Sequence, residues 1–216
     1  MFNMSLLEYT FLAASSLFVI VDPLAAVPAF IAMTPNDSPA ERMRTAKLAC
    51  CVMTGVLLVF ALAGKWIFQF LGITLPAFQI AASIVLLLVA LDMLRAQRSR
   101  LSETKEETVA GAEKTDIAVT PLAIPMLAGP GAISTVILLQ SQPNDLPHGL
   151  VLAVLAGCVL AVSLASYGIL RMAAHGARRL SPIAMKISTR IMGLLLAAMA
   201  IQFMLNAVKS LKADWL

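Results

Sequence analysis

The sequence predicts an all-α, polytopic membrane protein with six transmembrane segments, arranged as two inverted three-helix repeats in which the first segment of each repeat is broken. Three observations predict this class. Of the 216 residues, 60% are apolar and 13% are charged, about half of the roughly 25% charged fraction of soluble domains. The apolar residues form runs of about 20 residues, the length that crosses about 30 Å of hydrocarbon. Prolines interrupt two of these runs at corresponding places.

The six apolar runs occupy most of the chain, so little is left for a soluble domain. They cover 6–33, 46–70, 76–94, 117–140, 148–174 and 187–209. No basic residue precedes the first run, and this run is longer than the roughly 7–15 apolar residues of a secretory signal peptide. We therefore interpret it as a retained membrane segment.

Lysine and arginine concentrate in three of the loops between these runs. Thirteen of the sixteen lie in 34–47, 95–114 and 171–190. Only three lie on the other side: Lys65, Lys209 and Lys212. The positive-inside rule counts Lys and Arg, and it places those three loops in the cytoplasm and both termini outside. The net charge of +4 therefore reflects membrane topology, and we expect no nucleic-acid partner.

The only long polar stretch divides the chain into three parts. Residues 95–116 contain five basic and five acidic residues, and we interpret them as a cytoplasmic linker. The parts before and after it, 1–94 and 117–216, each contain three segments, so the second part enters the membrane in the opposite orientation. Interrupted segments at corresponding positions of two inverted halves point to a transporter binding site.

The first break is at Asp22-Pro23, inside the first apolar run. Proline in a helix interior costs about 3 kcal/mol, and within lipid the freed backbone groups must face protein or a wet cavity. Because Asp is a favoured N-cap and Pro a favoured first helical residue, this pair predicts a half-helix that runs toward Thr34. Two interpretations of Asp22 stay open. It contacts a substrate or coupling ion, as ionisable groups inside membranes often do, or it only caps its half-helix.

The second break is at Gly129-Pro130-Gly131, and we expect it to start a second half-helix of opposite direction. Each half-helix N-terminus is equivalent to roughly half a positive charge. Two such ends facing one cavity suit an anionic group such as a carboxylate. Ser134 and Thr135 follow one turn later and could add hydroxyl ligands.

Two carboxamides share one face of the last segment, Gln202 and Asn206 at i and i+4. They line a polar path to the site or make interhelical hydrogen bonds, and the sequence favours neither. The three cysteines show no metal-binding spacing. We expect no cofactor, although coupling to Na⁺ or H⁺ stays open.

Four stretches resemble the MarC family: VDPLAAVPAF, PLAIPMLAGPGAIST, FQIAASIVLLLVALDML and RIMGLLLAAMAIQFMLNAV. The resemblance implies a bacterial or archaeal inner-membrane protein with six spanning segments. A related member is similar to a small neutral amino acid transporter, and the wider group is similar to the LysE exporters. By this resemblance the shared motif residues are Asp22, Pro23, Pro28, Pro125, Gly129, Pro130 and Gly131.

The function that these patterns indicate is secondary transport of a small solute, with a neutral amino acid as the leading class, by alternating access around a midplane site. The alternative is a non-transporting membrane component that docks a cytoplasmic partner through 95–116. No enzyme is expected, because the sequence has no H-E-x-x-H, no G-x-S-x-G and no pair of aspartates deep in the membrane. The expected partners are the lipid bilayer and the solute; a bundle of six segments permits a homo-oligomer without requiring one.

Overall fold

The computed structural model describes residues 5–35, 37–95, 117–141, 146–176 and 182–213. These residues form helices joined by short turns. In chain order the elements are α1 (Leu6–Val21), α2 (Pro23–Met33), α3 (Pro39–Leu71), α4 (Leu75–Leu94), α5 (Ala118–Leu127), α6 (Pro130–Ser141), α7 (His148–Gly176) and α8 (Pro182–Ala213). Most of the predicted linker, 96–116, lies outside the described residues.

The described helices provide six candidate membrane spans. α1 and α2 together make one apolar span, Leu6–Met33. The helices α3, α4, α7 and α8 are each long and apolar enough to cross by themselves. The pair α5 and α6 makes the sixth span and is bent by 53° at its break. The prediction of an all-α membrane protein with two broken segments is confirmed, and its count of six segments holds where the bent pair of α5 and α6 is one span.

The helix α3 begins earlier than the apolar pattern predicts, at Pro39 rather than near residue 46. Ser38 and Glu41 form a capping box, in which each side chain binds the backbone N–H of the other residue. Such a box satisfies N–H groups that a helix start leaves without partners. The predicted loop at 34–47 is therefore mostly the first turns of α3, and its basic residues are helical.

The helices pack in a set of corresponding pairs. The two most extensive contacts join α3 to α7 and α4 to α8. α1 packs against α7 and α6, while α5 packs against α3 and α2. α2 packs against α8 and α7, while α6 packs against α4 and α3. The larger hydrophobic core lies among α1, α2, α3, α5, α6 and α7, and a smaller core lies between α4 and α8.

Glycine permits a close contact between α4 and α8. A Cβ added to Gly193 of α8 would lie 3.0 Å from the Ala90 carbonyl oxygen and 3.0 Å from Leu94 Cγ of α4. Small residues allow membrane helices to approach closely, because lipid supplies little hydrophobic driving force between them. The α4–α8 pair is therefore a tightly packed unit beside the two broken spans.

Candidate functional site

Asp22 forms the junction between α1 and α2. Its backbone is left-handed, with φ 42° and ψ 64°, and it is the only non-glycine residue with positive φ among those described. Its N–H donates to the Phe18 carbonyl at 3.0 Å and ends α1. Its Oδ1 accepts from the Ala25 N–H at 3.2 Å and caps α2, which begins with the buried Pro23. Asp tolerates the left-handed region better than most residues, so one residue both ends a helix and starts the next.

The other carboxylate oxygen of Asp22 has no hydrogen-bond partner among the described residues. The residue is half-buried, and it contributes to the lining of a cavity. The capping role therefore leaves one oxygen available for a ligand.

Arg42 holds the other end of α2. It is 4% exposed, and its guanidinium donates from Nη2 to the Thr34 carbonyl at 2.7 Å and from Nε to the same oxygen at 3.0 Å. A third bond joins Nη2 to the Pro35 carbonyl at 3.3 Å. Cations are favoured at helix C-termini, where carbonyls lack intrahelical partners. This half-helix is thus fixed at its N-terminus by Asp22 and at its C-terminus by Arg42.

Proline also interrupts the interior of α2, at Pro28. Pro28 has no N–H to give to the carbonyl one turn earlier, and its ring crowds that turn. It is half-buried and lies outside the cavity lining, so its place in the structure is within the packing of α2.

The second break is built from α5 and α6. Within α5, Thr120 and Ile124 are extended, with φ near −129° and −127°, and each precedes a proline. The ring of a following proline disfavours helical backbone at the residue before it. Pro121 and Pro125 therefore account for the irregular course of α5, and α6 starts anew at Pro130.

Gly129 and Gly131 are required by close contacts. A Cβ on Gly129 would lie 2.5 Å from the Pro125 carbonyl oxygen, which no real structure tolerates without backbone movement. A Cβ on Gly131 would lie 3.1 Å from the Phe203 ring and 3.2 Å from Ile20 Cγ2. α8 and α1 thus press against the first turn of α6 at a position where only a hydrogen atom fits comfortably.

Both breaks line one cavity. The first break contributes Val21, Asp22, Ala25 and Ala26, and the second contributes Pro125, Met126, Gly129, Gly131 and Ala132. The remaining wall is apolar and comes from Ile20, Leu86, Met192, Leu196, Met199 and Phe203. The cavity volume is about 20 Å³, which is enough for about one water molecule. The space between the breaks is therefore narrow, and a larger solute requires the wall to move away.

The polar residues predicted for the site are distributed differently. Ser134 is buried, donates to the Pro130 carbonyl at 2.6 Å and accepts from Gln79 Nε2 at 2.7 Å, so it joins α6 to α4. Thr135 is half-buried and lies outside the cavity lining. Gln202 and Asn206 are exposed and also lie outside the lining. The structure brings Asp22, Pro125, Gly129 and Gly131 to the cavity; Pro23 and Pro130 start the helices behind it.

Two residues of this region were missed by the sequence reasoning. Arg42 was counted only as a loop charge, although its place in the first turn after a Ser-Pro helix start indicated a folded environment. Gln79 is the one carboxamide in the third apolar run, 76–94, and that was a usable signal.

Residues 7–212 match the family model described as MarC family integral membrane protein. The chain belongs to the MarC family. It is 39% identical to a UPF0056 membrane protein of Methanocaldococcus jannaschii over 94% of this chain and 97% of that protein. It is 32% identical to the UPF0056 membrane protein YhcE of Escherichia coli over 90% of this chain and 89% of YhcE. It is 33% identical to YvbG of Bacillus subtilis over 86% and 87% of the two chains. No solved structure matches it.

In this MarC family protein the cavity combines the carboxylate of Asp22 with the partial positive charge of the α6 N-terminus. The first N–H groups of a helix have no intrahelical partner, and Gly131 and Ala132 at the start of α6 line the cavity. No acidic side chain caps α6 as Asp22 caps α2, since Gly129 occupies the corresponding position. The α6 end can therefore accept a carboxylate, and the free oxygen of Asp22 can accept a cation. Within the described residues no group of three or more His, Cys, Asp and Glu is placed to hold a metal.

Proposed function

We propose that this MarC family protein is a secondary transporter of a small solute, and that a neutral amino acid is the class that fits best. The observation that carries the proposal is the cavity between the two helix breaks, lined by one carboxylate and by a helix N-terminus that no acidic side chain caps. A zwitterionic amino acid has one charged group for the carboxylate and one for the helix N-terminus. Its ammonium binds Asp22, and its carboxylate binds the N–H groups at the start of α6.

The apolar wall supports a small uncharged side chain on the solute. Met126, Met192 and Met199 line the cavity beside Leu86 and Phe203. Methionine is flexible and adapts its shape to different apolar groups. A charged side chain would find no partner on this wall, so the proposal favours alanine, glycine and serine over lysine or glutamate.

The helix contacts support two inverted repeats, with 1–94 as the first, 95–116 as a cytoplasmic linker and 117–216 as the second. Exchange of each element for its counterpart in the other half maps the α1–α7 contact onto α5–α3, and the α2–α8 contact onto α6–α4. In such transporters one part rocks against the other around a fixed site. Here the α4–α8 pair would move relative to the broken spans and open the cavity to each side in turn.

The distribution of Lys and Arg supports a multi-pass protein of the bacterial inner membrane with both termini in the periplasm. In that orientation α2 runs from the middle of the membrane toward the cytoplasm, and α6 runs from the middle toward the periplasm. Asp22 lies near the middle of the span Leu6–Met33. A proton or Na⁺ bound at its free oxygen would couple the cycle to an ion gradient. The proposal assigns no catalytic step to the protein.

The test is counterflow in proteoliposomes. The purified full chain is reconstituted and loaded with unlabelled alanine, glycine or serine, and uptake of the labelled solute is followed with and without Na⁺ and H⁺ gradients. We expect counterflow for at least one of the three, and its loss in Asp22→Asn, since Asn keeps the cap but not the charge. A deletion of 99–114 should keep counterflow.

Absence of counterflow for every solute, together with no thermal stabilisation by any of them, would refute the proposal. It would favour instead a membrane component that docks a cytoplasmic partner through 95–116. If the Asp22→Asn protein still transports, and its transport still depends on the Na⁺ or H⁺ gradient, then Asp22 takes no part in the coupling step.

A further inference from the structure

The outward face of α8 carries two carboxamides. Gln202 and Asn206 are exposed, and Gln202 Nε2 donates to Asn206 Oδ1 at 2.9 Å. Their neighbours on this face are large, exposed and apolar: Ile201 is 45% exposed and Leu205 is 51% exposed. The apolar span of α8 runs over Arg190–Leu211, so Gln202 lies close to its middle. A polar group is thus presented where lipid tails would surround a single copy.

The hydroxyl side chains of the spans donate hydrogen bonds to carbonyls of their own helix, which satisfies them more fully than a carboxamide can be satisfied. Thr10, Ser15, Ser83 and Ser166 each donate to the carbonyl four residues earlier on their own helix. A carboxamide has two donor hydrogens and two acceptor lone pairs. One bond between Gln202 and Asn206 leaves most of that capacity facing outward. Hydrocarbon offers nothing to satisfy it, and Asn and Gln side chains in membrane helices form hydrogen bonds across helices.

The residues around Gln202 have the spacing of a helix–helix seam. Ile191, Leu195, Ala198, Gln202 and Leu205 follow one another in steps of four and three, and all five are exposed. This alternation keeps one stripe of a helix against a parallel partner, and a single polar residue in such a stripe sets register and pairing. We call these five residues, together with Asn206, the amide face.

We propose that the amide face binds the amide face of a second copy, which gives a parallel two-fold dimer with its axis along the membrane normal. In a two-fold interface each residue near the axis meets its own counterpart. A carboxamide is self-complementary, since it both donates and accepts, so Gln202 can pair with the partner's Gln202. Ala198 is small and allows close approach one turn away. α8 packs chiefly on α4 and α2, which leaves this face free at the edge of the bundle.

The dimer is independent of the transport proposal, because the amide face lies outside the cavity lining. Its first test is disulfide formation between full-length copies in proteoliposomes at low protein density. In a Cys51→Ser background, which removes the exposed native thiol, Ala198→Cys is compared with Leu164→Cys. Leu164 is 72% exposed on α7 and serves as the matched control. A membrane-permeant oxidant should link the Ala198→Cys protein into dimers and leave the Leu164→Cys protein monomeric.

The second test measures dimer affinity by energy transfer between labelled copies diluted with lipid. Gln202→Leu should weaken self-association by about 3- to 20-fold, the range expected for one interhelical hydrogen bond in a membrane. Gln202→Asn keeps the amide and should retain most of the affinity. Both substitutions face lipid in the monomer, so neither threatens folding. Equal cross-linking of the two cysteine variants, absence of energy transfer between wild-type copies, or an unchanged affinity in Gln202→Leu would each overturn the proposal.

Discussion

Phe203 lies against Gly131, with its ring carbons Cε1 and Cζ 3.1 Å from where a Cβ on Gly131 would be. One residue comes from α8 and the other from the first turn of α6, and Ile20 of α1 completes the contact at 3.2 Å. Three helices therefore meet over the cavity at a point where an added methyl group would require Phe203 or Ile20 to shift. In the proposed orientation this contact lies on the periplasmic side of Asp22. We expect it to be the contact that opens when the cavity becomes accessible from that side.

Gly131→Ala should lower stability, because the new methyl group must displace the Phe203 ring or Ile20. Overpacking of this kind costs about 1–3 kcal/mol, which thermal unfolding of the detergent-solubilised protein would measure. Gly168→Ala on α7 is the control, since no atom lies within 4 Å of its added Cβ, and alanine favours a helix by up to about 1 kcal/mol. The double variant Gly131→Ala, Phe203→Leu should recover part of the loss. Equal stability of Gly131→Ala and Gly168→Ala would contradict this account.

Gly129→Ala should be more damaging than Gly131→Ala. The obstacle here is a backbone oxygen, that of Pro125, at 2.5 Å, and it cannot rotate away as a side chain can. We expect little folded protein, measured as monodisperse material after solubilisation at matched expression. Gly55→Ala, whose added Cβ meets no atom within 4 Å, should express normally. Normal yield from Gly129→Ala would show that α5 shifts more easily than its packing indicates.

Which of these features the sequence could predict depends on how local their cause is. The cap at Asp22 follows from two adjacent residues, so the position and direction of α2 were predicted. Gly129, by contrast, is required because an added Cβ would meet the carbonyl of Pro125, whose approach no local rule indicates.

Long-range side-chain pairing and helix orientation could not be predicted either, because both depend on residues far apart in the sequence. Ser134 binds Gln79, a residue 55 positions away, and no local pattern predicts this bond. The exposed side of Gln202 was also undetermined, because lipid-facing and core-facing sides of a membrane helix are both apolar and show little periodicity. Only the packed structure distinguishes the two sides.

Arg42→Met should destabilise the inner end of α2. The substitution keeps the apolar stem but removes the charged donors that hold the Thr34 and Pro35 carbonyls. Hydrogen bonds to charged groups contribute about 1.5–3 kcal/mol each, so a loss of about 2–3 kcal/mol in unfolding free energy is expected. Arg44→Met, two residues on and exposed, should change stability little. Arg42→Lys should restore only part of the loss, since an ammonium lacks the planar fork of a guanidinium; full restoration would show that charge alone suffices.

Gln79 and Ser134 should be coupled, because their side chains join α4 to α6 beside the second break. A double-mutant cycle of Gln79→Leu and Ser134→Ala measures this. We expect a coupling of about 0.6–1.7 kcal/mol, as for other interhelical hydrogen bonds in membranes. The hydroxyl of Ser134 also donates to its own helix at the Pro130 carbonyl, so Gln79→Leu leaves Ser134 with a partner. Ser134→Ala instead leaves the Gln79 amide without one, and it should therefore cost more than Gln79→Leu. Additive effects would show that the bond between α4 and α6 contributes nothing to stability.

The two roles of Asp22 can be separated by comparing Asp22→Asn with Asp22→Ala. Asn can still accept from the Ala25 N–H and adopt a left-handed backbone, so its unfolding temperature should stay near that of the wild type. Ala loses the cap and is strained at a φ of 42°, so it should lose at least about 1 kcal/mol. Under the transport proposal both variants lose counterflow, although only Ala loses stability. If Asn instead keeps wild-type counterflow, the carboxylate serves only as a cap, and the solute is held by the N–H groups of α6 without a charged partner.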